Sequence, residues 1–198
     1  MQTPSRTTEL EAVNVCMALM GNAPVNNLNP PFGADVATAK NLITEVSKDV
    51  QAEGWHFNKE YEVTLQPASN TITLGSNVIS VDVEGRSDMD VVFRSGKLYD
   101  LKNHTFTFTA DVKATLVYMF PFDELPEPFR RYIMIRAARM FQSRYLGSEQ
   151  QHMFTEQQET RSRVTCLSDE ARNADRNILN SPDQAYIARR WSRRRYGN

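Results

Sequence analysis

Two acidic residues, Glu124 and Glu127, lie close enough along the chain to suggest paired catalytic carboxylates. A glycosidase needs an acid and a base or nucleophile several ångströms apart, so a cell-wall glycan hydrolase is one interpretation of this pair. Both residues also fall at the predicted start of a helix, where the helix dipole stabilises acidic side chains without any catalytic role. The sequence favours the second interpretation, and we assign no catalytic residue.

Metal-binding and cofactor-binding residue types are scattered. His56, His104 and His152 have no partner at the spacing that a zinc site uses. Asp88 and Asp90 fall in a predicted turn, where a solvated acidic turn is favoured over a divalent-cation site. The phosphate-loop, nucleophile-elbow, His-Glu-x-x-His and Cys-x-x-Cys motifs are missing from the sequence. We therefore predict no metal and no cofactor.

The C-terminal segment combines arginines with aromatic residues. Its candidate partner-binding residues are Arg189, Arg190, Trp191, Arg193, Arg194, Arg195 and Tyr196. The chain has a net charge of −1, and without these five arginines its 18 basic and 24 acidic residues give −6. Arginine pairs with phosphate and carboxylate groups and stacks on aromatic rings. Salt-sensitive nucleic-acid binding, docking onto an acidic protein surface and a solvated tail all stay open.

Composition places the chain among ordinary folded proteins. It has 198 residues, 40% hydrophobic and 24% charged, which is enough for one domain or two small ones. No run of about 18 apolar residues is present, so we predict neither a membrane span nor a standard export signal. Cys16 and Cys166 lie far apart in predicted helices, which argues against a disulfide framework and favours folding in a reducing cytoplasm.

Hydrophobic periodicity divides the chain into helical and β segments. A capping box at Thr8 and Glu11 opens a helix that ends at Gly21, and after a Pro-rich linker a second helix ends at Gly54. From Tyr61 the period changes from about 3.6 residues to 2, which predicts six or seven short antiparallel strands. The tetrapeptide at residues 94–97, Arg-Ser-Gly-Lys, predicts a tight hairpin turn.

Helical periodicity returns after residue 122, and a last helix is predicted from residue 148 to about residue 179. At 1.5 Å per residue it would be roughly 48 Å long. One partly apolar face follows an unbroken three-four spacing. This seam consists of Met153, Gln157, Thr160, Val164, Leu167, Ala171, Ala174 and Ile178. The helix is expected to pack on the preceding one as a long hairpin, and part of it is also a candidate for contact with neighbouring copies.

These elements predict an α+β fold. We expect a helical bundle with a long C-terminal helical hairpin, and an inserted antiparallel β-sandwich or barrel-like domain. Residues 1–58 hold the N-terminal helices and the Pro-rich linker, and residues 59–121 the β domain. Residues 122–180 complete the helical domain, and residues 181–198 form the Arg-rich tail.

An ordered set of motifs resembles the tail tubular protein A family of short-tailed bacteriophages. Gly-Trp-x-Phe-Asn follows the second helix, Leu-Pro-Glu-x-Phe-Arg follows the β region, and Arg-Tyr-x-Gly ends the next helix. The resemblance covers about residues 8 to 175. Its motif residues include Gly54, Trp55, Phe57, Asn58, Pro126, Glu127, Phe129, Arg130, Arg139, Phe141 and Gly147. Trp55 and Phe57 are expected to anchor the core.

The resemblance implies a structural virion protein rather than an enzyme. Family members form a head-to-tail adaptor, a ring of about twelve copies between the dodecameric portal protein and the tail nozzle, tail tubular protein B. The ring offers attachment points for tail fibre protein and lines the channel, where genome DNA makes transient contact. Such a chain is assembled in the host bacterial cytoplasm, resides in the short tail of the virion and does not insert into a membrane. Portal docking by the Arg-rich tail is our inference from its arginines.

Overall fold

Four α-helices and five β-strands form the secondary structure of the described residues, 5–83, 88–145 and 149–173, in a computed structural model of the chain. They are α1 (Glu9–Leu19), α2 (Ala34–Ala52), β1 (Lys59–Leu65), β2 (Val78–Asp82), β3 (Val91–Arg94), β4 (Lys97–Asp100), β5 (Val112–Tyr118), α3 (Glu127–Tyr145) and α4 (Glu149–Asn173). These helices and strands confirm the predicted mixture of helices with antiparallel β-structure. Among the described helices, none is long and apolar enough to cross a membrane.

The start of α1 is the predicted capping box. The Thr8 hydroxyl accepts a hydrogen bond from the Glu11 amide at 3.2 Å, and the Glu11 carboxylate accepts one from the Thr8 amide at 2.9 Å. These two bonds satisfy amides that the first helical turn would otherwise leave without partners. Local sequence therefore determines where α1 begins.

Helix α3 lies at the centre of the helical part and contacts α1, α2 and α4. Its buried residues Phe129, Ile133, Ala137 and Phe141 recur every four positions and so form one apolar stripe. The apolar residues of α1 and α2 pack against this stripe in a single core cluster, in which Cys166 of α4 also takes part.

The strands form two small antiparallel sheets. The first has the order β1-β5-β2, and β3 pairs with β4 in the second. A second apolar cluster, which includes Ile72, Leu98 and Leu116, forms the core of this part. Ser95 and Gly96 both have positive φ between β3 and β4, at 53° and 75°, and this confirms the predicted tight hairpin. The sandwich or barrel-like closure stays a prediction.

Among the described residues five strands form, fewer than the six or seven predicted, and the segment around Phe106, between β4 and β5, is not a strand. The buried Asp100 carboxylate accepts hydrogen bonds from the amides of Lys102 at 2.9 Å and Asn103 at 3.1 Å, and from the Asn103 side chain at 2.7 Å. These bonds turn the backbone on itself, and only an isolated bridge joins Asp100 to Thr105. The hydrogen bonds that this one buried carboxylate accepts thus favour a turn where a strand was predicted.

Asp100→Asn should lower the melting temperature at pH 7, because the charged acceptor of three backbone N–H groups becomes a neutral one. The second oxygen, which accepts from the Asn103 side chain, is replaced by an N–H donor. Burial alone raises the pKa of this carboxyl, but hydrogen bonds from Asn103 and from the Asp90 and Lys102 amides outweigh it and hold the pKa below 3.8. A depressed pKa gives stability that is present above the unfolded-state pKa and lost as pH falls through the folded-state pKa.

The difference in melting temperature between wild type and Asp100→Asn should therefore narrow below about pH 4. Thermal scans at pH 7 and at about pH 3 measure it, with exposed Asp111→Asn as the matched control. An equal difference at both pH values would contradict a role for the carboxylate charge.

Helix α4 packs on α3 with the side opposite the predicted seam. Cys166 is buried and its thiol donates to the Pro128 carbonyl at 3.3 Å, while Glu159 pairs with Arg139. The two helices therefore run antiparallel. The described seam positions, residues 157, 160, 164, 167 and 171, are all exposed. The periodicity predicted the wrong face of α4 for its contact with α3. The side that packs on α3 is largely charged, and ion pairs hold it in place.

Candidate assembly site at the helix and sheet junction

The end of α2 meets the sheet at Gly54, the first residue of the Gly-Trp-x-Phe-Asn motif. Gly54 has φ of 72°, a left-handed conformation that only glycine adopts without strain. A Cβ atom at this position would lie 3.3 Å from Cγ2 of Val117 in β5. Glycine is therefore favoured here both by the positive φ of the turn and by the tight approach of the Val117 side chain.

Trp55 anchors this turn to α3. Its side chain is 5% exposed, and the indole Nε1 donates to the Val50 carbonyl at 2.6 Å. Its ring meets the Phe129 ring edge-on at a centroid distance of 4.9 Å, and the Phe57 ring lies 4.7 Å from Phe129. The motif after α2 and the motif at the start of α3 thus meet in one aromatic cluster.

Asn58 ties together three segments that are distant in sequence. Its Oδ1 accepts from the Trp55 amide at 2.8 Å, and its Nδ2 donates to the carbonyls of Gln51 and Tyr118, both at 2.8 Å. The side chain is buried, so every one of these bonds replaces a lost contact with water. The amide holds the end of α2, the turn and the end of β5 in one arrangement.

Gln51 belongs to the same site, and sequence analysis missed it. Its Oε1 accepts from the Phe120 amide at 2.8 Å, and its Nε2 donates to the Phe120 carbonyl at 3.0 Å and the Ser47 hydroxyl at 2.9 Å. Gln51 is fully buried. The sequence did contain a signal for Gln51: it is a polar residue four positions after Ser47, beside the apolar stripe of α2.

A second cluster joins the N-terminal segment to the start of α3. The Glu127 carboxylate accepts from the Thr7 amide at 2.8 Å and the Thr7 hydroxyl at 2.6 Å. The buried Arg130 guanidinium donates to the carbonyls of Leu125 at 2.6 Å and Thr7 at 2.8 Å, and to that of Asp123. Pro126 provides the carbonyl that accepts from the Phe129 and Arg130 amides.

The Glu127 carboxylate, one of the two considered for hydrolysis, is thus part of this second cluster. Both Glu127 oxygens bind Thr7, and Glu124 lies in a short 3-10 helix, Phe122–Glu124, immediately before α3. A catalytic acid or base needs an oxygen available to substrate. The geometry favours the structural interpretation of these two acids.

Helix α4 is held against the junction by charged groups. The Arg163 guanidinium donates to both Glu53 oxygens, at 3.0 and 2.8 Å, and lies 5.8 Å from the Trp55 ring centroid. Its hydrogen bonds with Glu53 raise the pKa of Arg163 above its ordinary value. The Glu170 carboxylate accepts from the His56 amide at 2.8 Å. The exposed end of α2 is thereby fixed to α4.

The structure accounts for the other predicted residues to different extents. Phe141 is buried in the helical core and Arg139 pairs with Glu159. Gly147 and the Arg-rich tail, with its seven candidate partner-binding residues, lie outside the described residues. Within the described ranges, no group of three histidine, cysteine or acidic side chains could hold a metal ion.

Comparison with known proteins matches most of the chain. The family model described as tail tubular protein matches residues 10–176. Tail tubular protein A of Klebsiella phage KP34 is 26% identical over 168 residues, which cover 83% of this chain and 88% of that protein. Both findings confirm the resemblance found in the motifs. The chain therefore belongs to the tail tubular protein family, whose members are structural components of the bacteriophage tail rather than enzymes.

Proposed function

We propose that the chain is the subunit of a head-to-tail connector. About twelve copies form a ring that joins the portal protein to the tail nozzle, tail tubular protein B. The ring lines the channel through which genome DNA leaves, and its outer surface offers attachment to tail fibre protein. Assembly takes place in the host bacterial cytoplasm, and the ring resides in the short tail of the virion. Family membership supports this role at the level of a tail component.

The observation that supports the connector role is the rigid junction between helices and sheet. Asn58 and Gln51 bind the end of β5 to α2, and Phe129 packs against both Trp55 and Phe57. A subunit of a closed ring has to present two different faces at a constant angle, since small angular errors accumulate around the ring. Buried hydrogen bonds and an aromatic cluster provide that constancy.

Exposed apolar side chains on several elements provide surfaces for partners. They occur on α1, β1, β3 and α4, away from the two core clusters. The large ones are Val15, Leu19, Tyr61, Phe93, Val164 and Leu167. Where two such side chains adjoin on one helix face, as Val15 and Leu19 do on α1 and Val164 and Leu167 do on α4, they favour a subunit that buries them on assembly.

The native mass of the protein, alone and after mixing with portal rings, tests the proposal. We expect about twelve copies bound per portal ring, by light scattering or native mass spectrometry. Bound copies that appear only with portal indicate assembly on a template, and a ring formed by the protein alone indicates a stable interface between copies. Monomers in both samples would contradict the connector role.

The Arg-rich tail is proposed to strengthen portal or genome engagement. Deleting residues 186–198, which removes five arginines, should weaken binding to portal or to DNA and leave the melting temperature unchanged. Binding to DNA that falls steeply with salt, and is lost on deletion, assigns the tail to nucleic acid. Loss of portal binding alone assigns it to protein. A large fall in melting temperature on deletion would contradict this assignment.

A further inference from the structure

One side of α4 carries exposed apolar residues and faces away from the other described elements. Val164 is 55% exposed and Leu167 48% exposed, and Ala171 one turn later is exposed as well. These residues, the α4 strip, follow the spacing of three or four residues that places side chains on one helix face. In the sequence the same spacing continues to Ala174 and Ile178, outside the described residues.

The α4 strip is not needed to hold α4 in place. The opposite side of the helix buries Cys166 and engages Glu53 through Arg163, and the His56 amide through Glu170. A helix that is already fixed on one side has a free and rigid second side, so docking there costs little ordering of the chain.

A second apolar strip lies on α1. Val15 and Leu19 are each 37% exposed, and Ala18 between them is exposed too. This α1 strip belongs to a helix that packs on α2 and α3, whereas α4 packs on α3. The chain thus presents two different apolar strips on two different helices, as a head-to-tail contact between copies requires.

Charges at the ends of the two strips are opposite. Arg161 is exposed one turn before Val164, and within the part of the chain that the structure describes no ion pair engages it. Glu11 is exposed one turn before Val15, and α1 contains no basic residue. If two such helices lie parallel, arginine meets glutamate and valine meets valine.

We infer that the α4 strip of one copy docks on the α1 strip of the next copy, with Arg161 beside Glu11. The inference rests on the proposed ring and names the surfaces that form it. Pairing of one α4 strip with another is the alternative arrangement. That symmetric contact closes at two copies, and in a parallel pair it would bring two Arg161 side chains together.

Cross-linking in the full-length protein tests this contact. The two native cysteines are unsuited to reaction, because Cys16 and Cys166 are buried and burial raises the pKa of each thiol to about 12. A variant with both Val15→Cys and Val164→Cys, mixed with portal rings and a short bis-maleimide, should give a ladder of covalent oligomers. Either substitution alone should give monomers. The control pair, Thr109→Cys with Val164→Cys, should also give monomers, since exposed Thr109 lies outside both strips.

Charge reversal gives an independent readout. Arg161→Glu should weaken assembly on portal by about tenfold, and adding Glu11→Arg in the same chain should restore most of it. Because Glu11 also caps α1, recovery by the second substitution cannot arise from a gain in subunit stability.

The outcomes separate the two proposals. A wild-type ring without a cross-linked ladder in the double-cysteine variant overturns this contact and leaves the connector role standing. Covalent dimers of Val164→Cys alone also overturn it, in favour of symmetric pairing. A wild-type protein that stays monomeric with portal overturns the connector role and this contact together.

Discussion

Trp55→Ala should lower the free energy of unfolding by about 3 to 5 kcal/mol. The substitution removes a side chain that is almost fully buried and packed on Phe129, and leaves a cavity between α2, α3 and α4. It also removes the indole donor to the Val50 carbonyl at the end of α2. Urea unfolding followed by circular dichroism measures the change.

Two variants separate the contributions of Trp55. Trp55→Phe keeps most of the ring volume and loses the N–H donor, so it should cost about 1 to 2 kcal/mol. Tyr61→Ala removes an aromatic side chain that is 55% exposed on β1 and should change stability by less than about 1 kcal/mol. If Trp55→Ala were no more destabilising than Tyr61→Ala, the proposed rigid junction would not exist.

Arg130→Met should destabilise the fold by about 3 kcal/mol, although methionine matches much of the side-chain length. Arg130 is 3% exposed, and its guanidinium is the donor to three backbone carbonyls, those of Thr7, Asp123 and Leu125. Methionine leaves these acceptors without their donor and releases the N-terminal segment from the start of α3. Equilibrium unfolding measures the loss, and faster proteolysis near Thr7 should accompany it.

Arg131 provides the matched control because it is the next residue of α3 and is exposed. Arg131→Met removes the same charge from the same helix and should change stability by less than about 0.5 kcal/mol. Equal effects of the two substitutions would show that net charge, rather than the three carbonyl contacts, determines the result.

Local sequence determined the features that depend on neighbours in the chain. Thr8 and Glu11 predicted the start of α1, and Ser95 with Gly96 predicted the turn between β3 and β4. Gly54 predicted the end of α2. Each of these depends on a few adjacent residues and on backbone geometry that little else can provide, so sequence alone is sufficient. The ordered motifs likewise indicated the family.

Only the tertiary structure showed the hydrogen-bond partners of the buried polar side chains. Sequence placed Asn58 and Arg130 in motifs, but their partners, Tyr118 for one and Thr7 for the other, lie 60 and 123 positions away. Gln51 lies outside the motifs, and its partner Phe120 is 69 positions away. No local pattern encodes such contacts, because they depend on how distant segments come together.

The choice of which face of α4 is buried shows the same difference between what sequence determines and what tertiary structure determines. Periodicity correctly predicted a long helix and an apolar seam, and an amphipathic helix ordinarily buries that seam. In the fold, Glu159, Arg163 and Glu170 find partners on α3 and at the end of α2, and together with Cys166 they hold the charged side inward. The sequence by itself determined that α4 has two distinct sides. The tertiary structure decided which side faces solvent, because the partners of the charged side, Arg139, Glu53 and the His56 amide, come from α3 and from the end of α2 and are brought to α4 only by folding.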